Sequence, residues 1–134
     1  MQMRYHDYHL DRYEVSDRGQ TITLHLVYGY PGQETDYSCI RFVGVALYSF
    51  VHTQNAIITD ISEVSIPELL SEYRAEVDEW NRMYGLKHWK DSVDSYGTKL
   101  QDERCRAWYL ESAIGFHGFV VAQAVENPPP NPAT

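Results

Sequence analysis

The feature that most constrains the fold is one amphipathic helix, predicted at residues 66–84, with strand-like segments on both sides of it in the sequence. Apolar residues recur along it at steps of three and four, which is the period of a helix with one buried face. A stripe of this kind must pack against a sheet or another helix. The stripe residues are Ile66, Leu69, Leu70, Tyr73, Val77, Trp80 and Tyr84.

Local signals mark both ends of this helix. Ser65 with Glu68 three residues later is a capping box, and Pro67 lies in the first turn, where a missing N–H costs nothing. Gly85 follows the last apolar position and is able to adopt the left-handed conformation that ends a helix.

Alternating apolar and polar residues predict four strands before the helix. Residues 8–15 and 21–28 form a hairpin, and 37–52 form a long strand that bends near Gly44. Residues 52–55 are predicted as a turn before a fourth strand at 56–64.

The segment after the helix has a weaker pattern. Residues 86–103 are predicted as a loop with a short helical turn near Lys90–Asp94. Strands at 104–111 and 116–125 follow, joined as a hairpin by a loop at Ser112–Gly115. We therefore expect an α+β fold of order ββββ-α-ββ, in which a curved, mostly antiparallel sheet of about six strands packs on one long amphipathic helix. Residues 1–126 form a single domain, and 127–134 form a Pro-rich flexible tail.

The charge balance restricts the partners of the chain. Its 134 residues hold 11 Lys and Arg against 19 Asp and Glu, a net charge of -8 with histidine neutral. This field repels nucleic-acid phosphates and anionic membranes, so we expect neither as a partner. It favours a basic protein partner.

Cysteine usage and hydropathy predict a cytoplasmic protein. The two cysteines, Cys39 and Cys105, have no C-x-x-C spacing and are expected to be free, buried thiols in a reducing compartment. The N-terminal residues lack the apolar core of a signal peptide, and no apolar run reaches the ~20 residues of a membrane-spanning helix.

No motif predicts catalysis, a cofactor or a metal. His6, His9 and Asp11 lack the spacing of a zinc site and are interpreted as surface residues. His25, His52, His88 and His117 are each chemically able to act as a general base, but no nucleophile or phosphate-binding loop accompanies them. We therefore predict no catalytic residue, and the sequence favours a protein without enzymatic activity.

Two groups of residues are candidates for binding a partner. The outer face of the predicted helix carries like charges whose mutual repulsion costs helix stability, and a tyrosine-rich loop supplies rigid aromatic surface. Alternatively, the charges form an ordinary solvated face, and the tyrosines are half-buried strand residues. The candidates are Glu68, Glu72, Glu76 and Glu79 on the helix and Tyr28, Tyr30 and Tyr37 around the loop.

The run I-x-F-x-G-V-x-x-Y-x-F at 40–50, the segment 55–61 and a closing hairpin at 109–122 resemble small bacterial cytoplasmic proteins of an uncharacterised family. Some similar acidic α+β proteins are immunity proteins against toxins. The residues that carry the resemblance are strand-packing residues, so it implies a fold and no catalytic role.

These observations favour a non-catalytic protein-binding module, in its most specific form an immunity-type inhibitor of a basic toxin. The alternative is a small-ligand-binding or enzymatic domain with a pocket between helix and sheet, where His25, His52 or His117 converge with tyrosine or glutamate side chains. A homo-oligomer formed through a sheet edge or an aromatic patch is a third hypothesis.

Overall fold

The structure, a computed structural model, describes residues 2–3, 7–86, 89 and 91–129, without the side chains of 2–3, 53–55, 59 and 113–114. Five strands form one sheet, and three short helices stand between the fourth and fifth strands. The strands are β1 (Gln2–Met3), β2 (Tyr8–Ser16), β3 (Thr21–Tyr28), β4 (Asp36–Val64) and β5 (Arg106–Glu126). The helices are α1 (Ile66–Glu72), α2 (Arg74–Tyr84) and α3 (Val93–Asp102).

The sheet is antiparallel at every described pairing and folds back on itself. β2 and β3 form the predicted hairpin, with Val15 opposite Ile22, around a tight turn at Asp17–Gly19. β3 also pairs with the first part of β4, whereas β2 pairs with the later part of β4, with Tyr8 opposite Ile58. β5 pairs with β4 along both parts.

This folding creates two separate cores. The first lies inside the folded sheet and includes the fully buried Trp108 and Phe42, whose ring centroids are 5.3 Å apart. The second lies between the other face of the sheet and the helices, where Leu69 and Val77 pack with Phe119. The sheet is therefore apolar on both faces, which explains the large share of apolar residues in β5.

The predicted packing of the sheet on a single long helix is wrong, because residues 66–84 form two helices. The chain leaves helical geometry at Tyr73 (φ -103°, ψ 20°), whose ring packs on Phe119 with centroids 4.6 Å apart. Both predicted ends are confirmed. Ser65 Oγ accepts a hydrogen bond from the Glu68 amide at 3.2 Å, and Gly85 is left-handed with φ +71°.

The loop prediction for 86–103 is also wrong, since 93–102 form α3. Ser92 caps this helix, and the serine hydroxyl accepts a hydrogen bond from the Ser95 amide at 3.1 Å. Val93, Tyr96 and Leu100 are buried at helical spacing. Gly97 allows α1 and α3 to approach closely, because a Cβ there would lie 3.0 Å from Leu70 Cδ1.

The predicted turns at 52–55 and Ser112–Gly115 are wrong, because β4 and β5 run through both segments. Each half of β5 pairs with β4, so the halves do not form a hairpin with each other. Between two consecutive β4–β5 pairings β4 contains more residues than β5, which gives a register shift between His52 and Ile57. This shift lies near Gly115, whose backbone is left-handed. The observed order is therefore ββββ-ααα-β. The predicted bend near Gly44 is confirmed, with φ +65° and a register shift between Val45 and Leu47.

No helix among the described residues is long and apolar enough to cross a membrane. Of the predicted Pro-rich tail, 127–129 have no regular secondary structure, and 130–134 lie outside the described residues. β5 ends at Glu126, the last residue of the predicted domain.

Candidate functional site

The break at Tyr73 divides the predicted acidic row between two helices. Glu68 and Glu72 belong to α1, and Glu76 and Glu79 belong to α2. Glu72 accepts a hydrogen bond from the Tyr109 hydroxyl on β5. Burial and the Glu72 carboxylate both raise the pKa of Tyr109, burial being the larger cause. Glu72 is therefore engaged with the sheet, and the four carboxylates do not form one continuous outward face.

Both arginines of α2 already have acidic partners. Arg74 Nη2 lies 2.9 Å from Asp94 Oδ1 on α3, and Arg82 pairs with Glu79 one turn earlier in the same helix. Among the described residues, neither Glu68 nor Glu76 forms an ion pair. The α2 side of the helical layer thus keeps an uncompensated negative charge at Glu76.

The end of α2 exposes two large apolar side chains, neither of which is among the predicted partner-binding residues. Met83 is 60% exposed and Tyr84 is 74% exposed. Tyr84 continues the stripe of Val77 and Trp80, a position for which periodicity predicts burial, but the helix extends beyond the surface that covers the earlier turns. Tyr84 is the last helical residue, directly before Gly85, and helix ends are less regular than helix interiors.

Glu76, Glu79 and Met83 follow one another at steps of three and four residues, so they share one side of α2. Tyr84 follows Met83 as the last residue of the helix and points roughly 100° away from it around the helix axis, on the side of Val77 and Trp80. We call these four residues the α2 surface. An exposed aromatic and a methionine beside carboxylates provide apolar contact area with an acidic rim, the arrangement of many protein-binding patches.

The predicted tyrosine cluster is mainly occupied in packing within the chain. The rings of Tyr28 and Tyr30 have centroids 4.9 Å apart, and Tyr8 lies 5.4 Å from Tyr28. The Tyr30 hydroxyl donates a hydrogen bond to the Asp7 carbonyl at 2.7 Å. Tyr37 is 46% exposed and is the member most available to a partner.

Two of the histidines in the alternative hypothesis lie beside the residue types expected there, His25 beside Glu14 and His52 beside Tyr13. His25 Nε2 lies 2.8 Å from Glu14 Oε1, on the face that also carries Cys39. His52 pairs with Phe116 and His117 with Val51, so these two point to opposite faces of the sheet. His6 and His88 lie outside the described residues, and the described part of the chain contains no cluster of three or more His, Cys, Asp or Glu able to hold a metal ion.

Both cysteines are free and buried, as the sequence predicts. Burial raises the pKa of the Cys39 thiol, and burial followed by the nearby Glu103 raises that of Cys105. Both side chains are therefore held as neutral thiols, which are poor nucleophiles.

A cleft of about 450 Å³ lies at the turn end of the β2–β3 hairpin. Its walls are the turn at 18–20, the bend of β4 at 44–48, Glu103 and Cys105 between α3 and β5, and Gln123 on β5. The alternative hypothesis placed a pocket between the long helix and the sheet, and residues of the second core pack at that interface.

No family model matches this chain, and no curated protein or solved structure is significantly similar to it.

Proposed function

We propose that this protein is a non-catalytic binding module that recognises a basic protein partner through the α2 surface. The observation that carries the proposal is the exposure of two consecutive large apolar residues at the end of α2, with Tyr84 74% exposed and Met83 60% exposed. Large apolar side chains exposed together on a small domain are typical of interaction sites. Glu76 and the net charge of -8 favour a basic partner through electrostatic steering.

The most specific form of this proposal is an immunity-type inhibitor of a basic toxin in the cytoplasm. Its support is the acidic balance of the chain and the resemblance noted for residues 40–50, 55–61 and 109–122. The two neutral, buried thiols favour a reducing compartment. No residue is proposed to act in catalysis.

The proposal is tested by capture of partners on the immobilised full chain in a lysate of the source organism. We expect one basic, stoichiometric partner that dissociates as salt is raised. A Met83→Ser/Tyr84→Ser variant should lose that partner. A Val15→Ser/Val51→Ser variant is the matched control, because it removes two exposed apolar side chains from β2 and β4, away from the α2 surface.

Two results would overturn the proposal. The first is equal retention of the partner by the α2 variant and the wild type. The second is the absence of any stoichiometric partner from the wild-type chain across the salt range.

A further inference from the structure

The cleft at the turn end of the β2–β3 hairpin is independent of the proposed protein-binding function, since none of its lining residues belongs to α2. Its volume of about 450 Å³ falls within the range of sites for small organic molecules. Four parts of the chain that are distant in sequence build its walls, namely the turn at 18–20, the bend at 44–48, the segment around 103–105 and Gln123 on β5.

The polar groups of the cleft favour a ligand with one negative charge. Arg18 lines the cleft, and within the described residues its guanidinium forms no ion pair. Gln20 and Gln123 add side-chain amides, and Gln123 Nε2 is fixed by donating to the Glu103 carbonyl at 3.1 Å. The Glu103 carboxylate also lines the cleft and disfavours a polyanion such as an organic phosphate. A single carboxylate suits the planar fork of an arginine.

The remaining wall of the cleft is apolar and aromatic. Val45 and Leu47 line it together with Tyr48, whose side chain is 37% exposed. The Tyr48 ring is the outer end of a row of aromatic side chains, with its centroid 5.4 Å from that of Phe50. An exposed ring backed by a second ring is a fixed surface on which another aromatic group is able to pack.

The backbone around the cleft is held in unfavourable conformations. Asp17, Arg18 and Arg104 are left-handed, with φ of +52°, +59° and +64°, and they are three of the four such non-glycine residues in the described part of the chain. Gly44, with φ +65°, lets Gln123 approach, because an added Cβ would lie 2.5 Å from Gln123 Oε1. Strained residues of this kind concentrate at ligand sites, where the surrounding fold maintains them.

We propose that this cleft binds a small aromatic monocarboxylate, with the carboxylate against Arg18 and the aromatic ring against Tyr48. The turn places the cation at one wall, and the bend of β4 supplies the aromatic wall. Binding involves no covalent step, and Cys105 contributes only to the lining.

The test is titration of the ¹⁵N-labelled full chain with sodium benzoate, followed by two-dimensional NMR. We expect saturable shifts of the Gly19 and Gly44 amides and of the Gln123 side-chain amide. Acetate, which lacks the ring, and benzamide, which lacks the charge, should each bind at least about tenfold more weakly. Absence of saturation by about 20 mM benzoate, or equal binding of acetate or benzamide, would overturn the proposal.

The variant that tests the cation is Arg18→Asn, because asparagine tolerates left-handed backbone and so preserves the turn. It should weaken benzoate binding at least about tenfold, whereas Arg82→Gln, a control in α2, should leave it unchanged. Tyr48→Phe should retain binding and Tyr48→Leu should weaken it. The dispersion of each free spectrum shows whether the variant is folded. Wild-type affinity in a folded Arg18→Asn or Tyr48→Leu variant would contradict the proposed contacts.

Discussion

Arg106 holds Glu63 through two parallel hydrogen bonds that join the end of β4 to the start of β5. Its Nε donates to Glu63 Oε2 at 2.9 Å, and its Nη2 donates to Glu63 Oε1 at 2.6 Å. The same guanidinium lies 5.2 Å from the ring centroid of Trp108. The hydrogen bonds from Arg106 keep the pKa of the Glu63 carboxyl below its ordinary value of 4.5.

The Arg106–Glu63 pair predicts a pH-dependent contribution to stability. A carboxyl whose pKa is lowered by folding stabilises the protein above its ordinary pKa, and this contribution is lost as pH falls through the folded-state pKa. Glu63→Gln should therefore lower the free energy of unfolding by about 1 kcal/mol at neutral pH. Urea unfolding of both proteins at neutral pH and near the folded-state pKa measures the difference, which should shrink in acid.

The matched control is Glu126→Gln, because Glu126 forms a single, more exposed contact with Arg41 at 3.8 Å. It should change stability by no more than a few tenths of a kcal/mol. A loss in Glu63→Gln that is the same at both pH values would show that the stabilisation does not come from the ionised pair.

Tyr96 and Tyr109 predict opposite effects of removing a tyrosine hydroxyl. Tyr96 is fully buried, and within the described structure no atom accepts a hydrogen bond from its hydroxyl. Tyr96→Phe should therefore be neutral or stabilising by up to about 1 kcal/mol, because it removes a buried polar group without a partner. Tyr109→Phe should cost about 1 kcal/mol, because it breaks the hydrogen bond to Glu72. Thermal or urea unfolding measures the stability of both variants. A larger loss of stability in Tyr96→Phe than in Tyr109→Phe would contradict the hydrogen bonding described for the two hydroxyls.

The close approach of β4 and β5 at Gly118 leaves no room for a side chain. A Cβ at this position would lie 2.2 Å from the Ser49 carbonyl oxygen, a backbone atom that is not free to move aside. Gly118→Ala should destabilise the protein by about 2–4 kcal/mol. In Gly32→Ala the new methyl group meets nothing within 4 Å, and only the left-handed φ of +81° opposes the change, at about 1 kcal/mol. Equal losses in the two variants, measured by urea unfolding, would refute the close approach.

Elements whose signals are local were predicted from the sequence. The cap at Ser65, the stop at Gly85 and the β2–β3 hairpin depend on neighbouring residues and are confirmed. The bend at Gly44 was also predictable, because a glycine interrupts an otherwise regular alternation.

The errors arise where distant contacts override local pattern. The break at Tyr73 accompanies packing on Phe119, which is far away in sequence. Gly97 weakens the helical signal of α3, yet its small size allows contact with α1. The segments 52–55 and 112–115 have the composition of turns but continue as strands, since the β4–β5 ladder pairs residues on both sides of each segment.

The geometry of the candidate sites also depends on contacts between residues that are distant in sequence. The acidic residues were identified by charge alone, but the contact of Glu72 with Tyr109 depends on the sheet. The exposure of Tyr84 follows from the extent of the surface that covers α2, which periodicity does not describe. The cleft beside Arg18 requires four distant segments and has no local motif.

Recognition through the α2 surface is tested by the dissociation constant of the purified, captured partner for the wild-type chain and for Tyr84→Ala. Exposed aromatic anchors dominate many interfaces, so we expect at least about tenfold weaker binding by the variant, with unfolding stability unchanged. Glu76→Gln should weaken binding less, and its effect should disappear at high salt. Equal affinity of Tyr84→Ala and wild type would contradict recognition through the α2 surface.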